Sequence, residues 1–292
     1  IMGNVLPAGQ GQAPARQAAI GAGIPLGTGC TTINKMCGSG MKAAMLTHDL
    51  LLGGNNQVIV AGGMESMTNA PYLLDKARGG LRMGHGTVSD HMFLDGLEDA
   101  YDKGRLMGSF AEATAQAYQF TREAQDEFAI RSLARANGAI NDGTFAAEVV
   151  PVTIKNRRGE TVISVDEQPG KANVEKIPTL RAAFSSDGTV TAANSSSISD
   201  GAAALVMMRE TQAQARGVKP LARMVGHAVV AVLGVTGCAY SGDGAAVRLA
   251  EASALSVASV VLGRDASIVA SQTGICVGGE ATATVLGVGW RA

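Results

Sequence analysis

Aromatic residues are scarce in this sequence: 4% of 292 residues, with a single tryptophan. Proline is also sparse, at 8, while 46% of the residues are apolar, which excludes a disordered linker. Four cysteines (Cys30, Cys37, Cys238, Cys276) are too few for a disulfide scaffold at this length. None form a C-x-x-C pair, the Cys30 to Cys37 spacing fits no usual zinc motif, and the four histidines do not cluster near them. Reduced thiols and no metal are therefore expected, in a cytoplasmic setting. Neither charge sign is in excess: 24 Lys+Arg against 25 Asp+Glu leave −1. No broad basic face follows, so no nucleic-acid partner is expected, although a few local cations suffice for a small anion. The longest apolar runs, such as Val229–Val235, are too short to cross a bilayer, so no membrane partner is expected either. The sequence opens on Ile1 without a basic-then-apolar leader, which gives no sign of secretion and fits a fragment or a processed chain.

What the sequence has in abundance is glycine, 38 in all. There is no G-X-Y period, so this is not collagen. Residues 1–66 hold 13 of them and residues 226–292 hold 11, leaving 14 for the longer middle. Two ends rich in small residues thus flank a more ordinary, charged middle. The first end reads as α/β. A helix is expected from Ser39 through Leu52, stopped by Gly53-Gly54, and then a buried strand Val58–Ala61, ended by Gly62-Gly63. In the middle, Ser109 and Glu112 form a capping-box pattern for a helix to about Tyr118. Thr121 opens another through Ala136, ended near Gly138. Val149–Ile154 and Thr161–Val165 read as strands around a turn, and Val190–Ser199 as a polar loop leading into the apolar run Ala202–Met208. Toward the end, Gly244–Leu262 reads as a helix buried on most sides and Ser267–Ser271 as a short strand. A similar order of cysteine turn, helix, glycine and strand near both ends suggests an internal duplication.

The most informative stretch is Asn34-Lys35-Met36-Cys37-Gly38-Ser39-Gly40-Met41-Lys42. Cys37 falls just before an expected helix, where unpaired N–H groups and the positive dipole end favour a thiolate. Gly38 and Gly40 admit a close backbone or a thin substrate. The local pattern alone also fits, and slightly favours, a buried and inert cysteine in a tight turn. A second cysteine turn, Thr273–Thr282 around Cys276, allows a two-thiol scheme in which one carries an acyl group and the other moves a proton.

Taken together, the sequence resembles the thiolases, the acetyl-CoA acetyltransferase family. The resemblance rests on Gly3-Asn4-Val5-Leu6, Gly9-Gln10-Gly11-Gln12 and Pro14-Ala15-Arg16-Gln17, on Asn34–Lys42, and on Ala61-Gly62-Gly63-Met64-Glu65-Ser66-Met67. It continues through His91–Tyr101, Arg105–Glu112, Thr189–Ala204 and Cys276–Ala283. It implies a layered αβαβα fold of two similar halves with an inserted loop domain. The first half is expected at 1–66 and again at 199–217, the loop domain at 67–198, and an incomplete second half at 218–292.

The resemblance also assigns roles. Cys37 matches the nucleophile that becomes acylated and Cys276 the cysteine that moves the α-proton. Backbone N–H groups of the turn from Cys276 to Gly278 match an oxyanion site. Ser196 matches a serine on the pantetheine arm of coenzyme A, and Leu106, Met107 and Gly108 line the acyl pocket. Arg78, Arg82 and Lys171 are candidate partners of the coenzyme's phosphates, though such cations are more often plain surface. The implied activity is acyl transfer between coenzyme A thioesters, with coenzyme A as substrate, no bound cofactor, and a homodimer or homotetramer as the assembly.

The sequence departs from the family in two places. Gly242 stands where a Gly-His-Pro histidine is expected, and none of His48, His85, His91 or His227 lies in a replacement motif. An Asn-Glu-Ala-Phe motif is missing, and 229–275 reads as deleted and partly scrambled. Loss of a proton-transfer partner forfeits about 10²–10⁴ in rate. A thiolase-like binding or partner protein without turnover is therefore the alternative. A ketoacyl-synthase-like condensing enzyme is a further one, disfavoured by Cys276 and by the lack of two suitable histidines.

Overall fold

The computed structural model describes residues 1–232 and the strand backbones 239–242, 245–248, 255–262, 266–270 and 277–278, with side chains as far as His227. The chain opens with β1 (Met2–Gly3), α1 (Pro14–Gly21), β2 (Thr32–Ile33), α2 (Ser39–Leu52), β3 (Val58–Ser66), β4 (Tyr72–Leu74) and β5 (Val88–Asp90). Next come α3 (Met107–Ala117), α4 (Arg122–Asn141), β6 (Val152–Asn156), β7 (Gly159–Ile163) and α5 (Glu167–Lys171). Then follow β8 (Asp200–Met208), α6 (Glu210–Ala215), β9 (Met224–Val232), β10 (Ala239–Gly242), β11 (Ala245–Arg248), β12 (Leu255–Leu262), β13 (Ala266–Ala270) and β14 (Val277–Gly278). The described residues fall into two compact units, one of 1–96 with those from 202 onward and one of 97–201.

In the first unit, four strands form a sheet in the order β2-β1-β3-β8. β1 runs parallel to both neighbours, with Met2 opposite Thr32 and Gly62, and Gly3 opposite Ile33 and Gly63. α2 lies on this sheet. Its Ala43 and Ala44 pack with Ala61 of β3, and Ile1, Ile33 and Met207 close around them. Methyl groups alone bury little apolar area, about 0.8 kcal/mol each, so this core depends on closeness rather than bulk. Glycine supplies the closeness. A β carbon on Gly3 would stand 2.6 Å from the Ser39 side chain, and Gly63 would place one 3.4 Å from the Gly40 backbone. The expected end of the strand at Gly62-Gly63 is therefore wrong: β3 continues through both to Ser66. Gly62 sits inside the ladder because any side chain there would run into the Ala203 carbonyl of β8. Beyond the sheet, the Glu65 carboxylate accepts from the backbone N–H of Val5 at 2.8 Å and of Leu6 at 2.9 Å, and from Asn4 Nδ2 at 3.0 Å. The segment after β1 is thereby tied to the end of β3.

The expected helix over Gly244–Leu262 is also wrong at its described residues, which are strands β11 and β12. β12 pairs antiparallel with β9 and with β13, so that Val260 faces His227 on one side and Ile268 on the other. The β-branched Val257, Val260 and Val261 suit extended backbone, and two flanking strands outweigh any helical pattern. The helix of the suggested second repeat is thus not present there.

In the second unit, α3 begins at Met107, two residues before the expected Ser109, with Leu106 as its cap residue and no capping side chain. Glu112 is used elsewhere: its two oxygens accept from the backbone N–H of Val190 at 2.8 Å and Thr189 at 2.9 Å. α4 does open on Thr121, whose hydroxyl accepts from Ala124 N–H, but it runs past Gly138 to Asn141. The β6–β7 hairpin sits over a tighter turn than expected, with Asn156 opposite Gly159. Arg122 and Asp126 of α4 anchor the loops beside it. Arg122 Nε pairs with Asp126 Oδ2 at 2.7 Å, and Nη2 donates to the Ile177 and Leu180 carbonyls. The other Asp126 oxygen accepts from Asn194 Nδ2 at 3.1 Å. Asp126 is buried, so this pairing satisfies a charge that would otherwise be costly.

Candidate active site

Cys37 lies on the turn that opens α2. The turn is built locally. Asn34 Oδ1 accepts from Met36 N–H at 2.8 Å, an Asx turn. Met36 then takes a left-handed conformation, φ 49°, which is uncommon for a residue with a side chain. Gly38 N–H bonds the Lys35 carbonyl, and Ser39 N–H and hydroxyl both bond that of Met36. Gly38 is the residue before the helix, and its carbonyl accepts from Lys42 N–H at 2.8 Å. Cys37 is therefore one residue upstream of the helix cap. It is exposed, and neither it nor Cys30 is in a disulfide. The alternative of a buried cysteine is thus contradicted. Close packing of Gly3, Gly40 and Gly63 lies directly beneath this turn, so a rigid backbone platform holds an accessible sulfur.

The second unit carries Leu106, Met107, Gly108 and Ser196. Leu106 and Met107 are brought together as the cap and first residue of α3, both half-buried. Gly108 has no room for a side chain because the Phe184 ring fills the space. Leu106 bridges to Glu98 across a loop fixed by Asp99, which accepts from the N–H of Tyr101 at 2.8 Å and Asp102 at 2.6 Å. Those two backbone donors, Asp102 first, hold the Asp99 carboxyl below the usual carboxylate range. Ser196 is exposed, on a loop whose neighbours are fixed: Ser195 donates to the Thr191 carbonyl and Ser197 to Gln168 Oε1.

The cations are less committed. Arg78 and Arg82 are exposed, and Lys171 is exposed and paired with Glu167 one turn earlier on α5. Gly278 ends β14, whose Val277 and Gly278 face Val247 and Ala246. Cys276 lies outside the described residues. Gly242 closes β10 opposite Ala245. Asn34, Glu65 and Asn194 have no separate role in the sequence pattern and Glu112 only that of a helix cap, yet these four hold the turn and the loops. Asn34 carried a usable signal, as an Asx residue before a tight turn. The partners of Glu112 and Asn194 are 77 and 68 residues distant and left none.

The family described as "Thiolase, N-terminal domain" matches residues 1–211. An acetyl-CoA acetyltransferase of Schizosaccharomyces pombe is 47% identical over 228 residues, covering 77% of this chain and 58% of the relative. Acetyl-CoA acetyltransferase 2 of Arabidopsis thaliana is 50% identical over 231 residues, covering 78% and 57%. Among solved structures, a thiolase of Ascaris suum in complex with coenzyme A superposes with a TM-score of 0.73 at 40% identity, over 80% of this chain and 59% of that one. An acetyl-CoA acetyltransferase of Syntrophomonas wolfei gives 0.74 at 39% identity. The chain thus spans a little over half the length of the curated relatives it matches. Among the described residues no helix is long and apolar enough to cross a membrane. With its N-terminal 211 residues matched and its fold shared with solved members, the chain belongs to the thiolase family.

Proposed function

We propose that this chain carries the nucleophile of an acetyl-CoA C-acetyltransferase. The Cys37 sulfur attacks the acetyl carbonyl of a coenzyme A thioester. The carbon–sulfur bond to coenzyme A breaks, and coenzyme A leaves as the thiol with the proton that Cys37 gave up. A second acetyl-CoA, deprotonated at its α-carbon by Cys276, attacks the acetyl-Cys37 carbon and frees the Cys37 sulfur. The N–H groups near Gly278 would steady the oxyanion of each step. Leu106 and Met107 would line the acyl pocket, Ser196 the pantetheine arm, and Arg78, Arg82 and Lys171 would meet phosphate. No bound cofactor is needed. The observation that carries this reading is the exposed Cys37 on a glycine-seated turn at the head of α2.

The same reading divides the chain into a first half at 1–66 and 199–217, a loop domain at 67–198 and a shortened second half at 218–292. It makes the assembly a homodimer or homotetramer and the compartment the cytoplasm. Curated relatives named mitochondrial are nearly as similar, so cell fractionation decides the last point.

The test is mass spectrometry after incubation with acetyl-CoA. An added acetyl group on the Cys37 peptide, lost in Cys37→Ser, is the expected result. No label at saturating acetyl-CoA would sink the catalytic reading. Gly242, at the place of the family's histidine, favours a second reading: a protein that binds coenzyme A thioesters without turnover. Acetyl-Cys37 without any cleavage of acetoacetyl-CoA would support that one.

A further inference from the structure

We propose that His48, Asp49 and His227 form a binding site for one borderline divalent transition cation, zinc first, away from Cys37 at the other end of α2. Their ligand atoms all lie within 4.8 Å of one another. His48 Nδ1 stands 3.3 Å from Asp49 Oδ1, and His227 Nε2 stands 2.7 Å from that same oxygen. The two rings meet edge to face, with centroids 5.2 Å apart and planes at 85°. Two ring nitrogens thus converge on one carboxylate oxygen from different directions.

Two of the three donor distances can be compared with those of a metal site, and the third, between the two ring nitrogens, lies within 4.8 Å. At metal–ligand bonds near 2.05 Å and tetrahedral angles, neighbouring donor atoms stand about 3.3 Å apart. The His48–Asp49 pair already has that spacing, and the His227–Asp49 pair needs to open by about 0.6 Å to reach it. Two imidazoles and one carboxylate make a set that prefers zinc, cobalt or nickel to calcium or magnesium, which favour all-oxygen sites. The His side chains are only 17% and 15% exposed while Asp49 is 55% exposed, so the rings are held and water can complete the coordination from the open side. Asp49 also opens the last turn of α2, with His48 just before it, and the negative end of the helix dipole there favours a cation. A bound ion would join the end of α2 to β9, elements 178 residues apart in sequence. That distance hid the cluster from any motif search.

The test uses the whole chain and cobalt(II) as a spectroscopic stand-in for zinc. One equivalent is expected to bind, giving visible d–d bands but no near-ultraviolet thiolate band, and broadening the His48 and His227 ring signals in NMR. His227→Gln and Asp49→Asn are each expected to weaken binding by at least about tenfold, since even outer-shell partners of metal sites are worth that much. Ring broadening is read on the unsubstituted chain, so a variant that fails to fold does not blunt the test. No binding, a thiolate band, or binding that leaves both rings sharp would each overturn the proposal.

Discussion

Gly3 of β1 and Ser39 of α2 meet so closely that a β carbon on Gly3 would lie 2.6 Å from the Ser39 side chain. Only Gly38 separates Ser39 from Cys37, so this contact sets the height of the nucleophile's turn above the sheet. Gly3→Ala forces either β1 or the head of α2 to move. The expected loss is about 1–3 kcal/mol, the usual cost of overfilling a packed site. Urea unfolding reads it directly, and an unchanged midpoint would mean that α2 is not seated on β1.

The left-handed Met36 makes a second prediction about the same turn. A β-branched residue resists that conformation more than methionine does, whereas glycine adopts it freely but loses more entropy on folding. Met36→Val is expected to cost about 1–3 kcal/mol. Met36→Gly is expected to stay within about 0.5 kcal/mol of the parent, because the two glycine effects oppose each other. Equal destabilisation by both would show that the methionine side chain, not the backbone, matters here.

Glu112 reaches across the second unit to two successive backbone donors, Thr189 and Val190, just before the loop of Ser196. Glu112→Gln keeps the size but turns an amide N–H₂ toward a backbone N–H. The expected cost is about 1–3 kcal/mol, the penalty of an unsatisfied buried donor. Hydrogen exchange at the Thr189 and Val190 amides would quicken with it. Unaltered protection at both amides would contradict the pairing.

The legible parts of this molecule were local. α2 runs over the expected residues because its small apolar positions and the following glycine pair are all in one short stretch. Thr121 caps α4 for the same reason. The Gly62-Gly63 pair is ambiguous because glycine marks both a chain break and a close approach, and only Ala203 of β8, far along the chain, decides between them. Glu112 looked like a capping residue because its true partners are distant in sequence. Leu255–Leu262 was apolar enough for a buried helix or a central strand, and pairing with β9 and β13 settled it. At the site, the position of Cys37 before a helix was readable, but its exposure was not. Exposure depends on what packs beneath the turn, which is Gly3 of β1, more than 30 residues earlier in the chain.

The loop that leads to Leu106 offers a pH handle. Asp99 accepts from the N–H groups of Asp102 and Tyr101, and these hold its carboxyl below the usual 3.8. Both donors favour the ionised form, and the unfolded chain lacks them. The folded value is therefore the lower one. The stability contributed by this carboxylate is present above the unfolded value and is lost as pH falls through the folded value. At neutral pH the loop is fully supported, and only in acid, below about pH 3.8, does the support fade. Carbon-detected NMR of the Asp99 carboxyl is expected to show a midpoint below that of an aspartate in a disordered peptide. Asp99→Asn removes the titration and loosens the turn at every pH, so its Tyr101 and Asp102 amides exchange faster at neutrality as well. A normal midpoint for Asp99, with amide exchange unchanged in Asp99→Asn, would mean that the turn before Leu106 is held without the Asp99 carboxylate, by the Glu98–Leu106 bridge and the Gly104 N–H bond to Glu98.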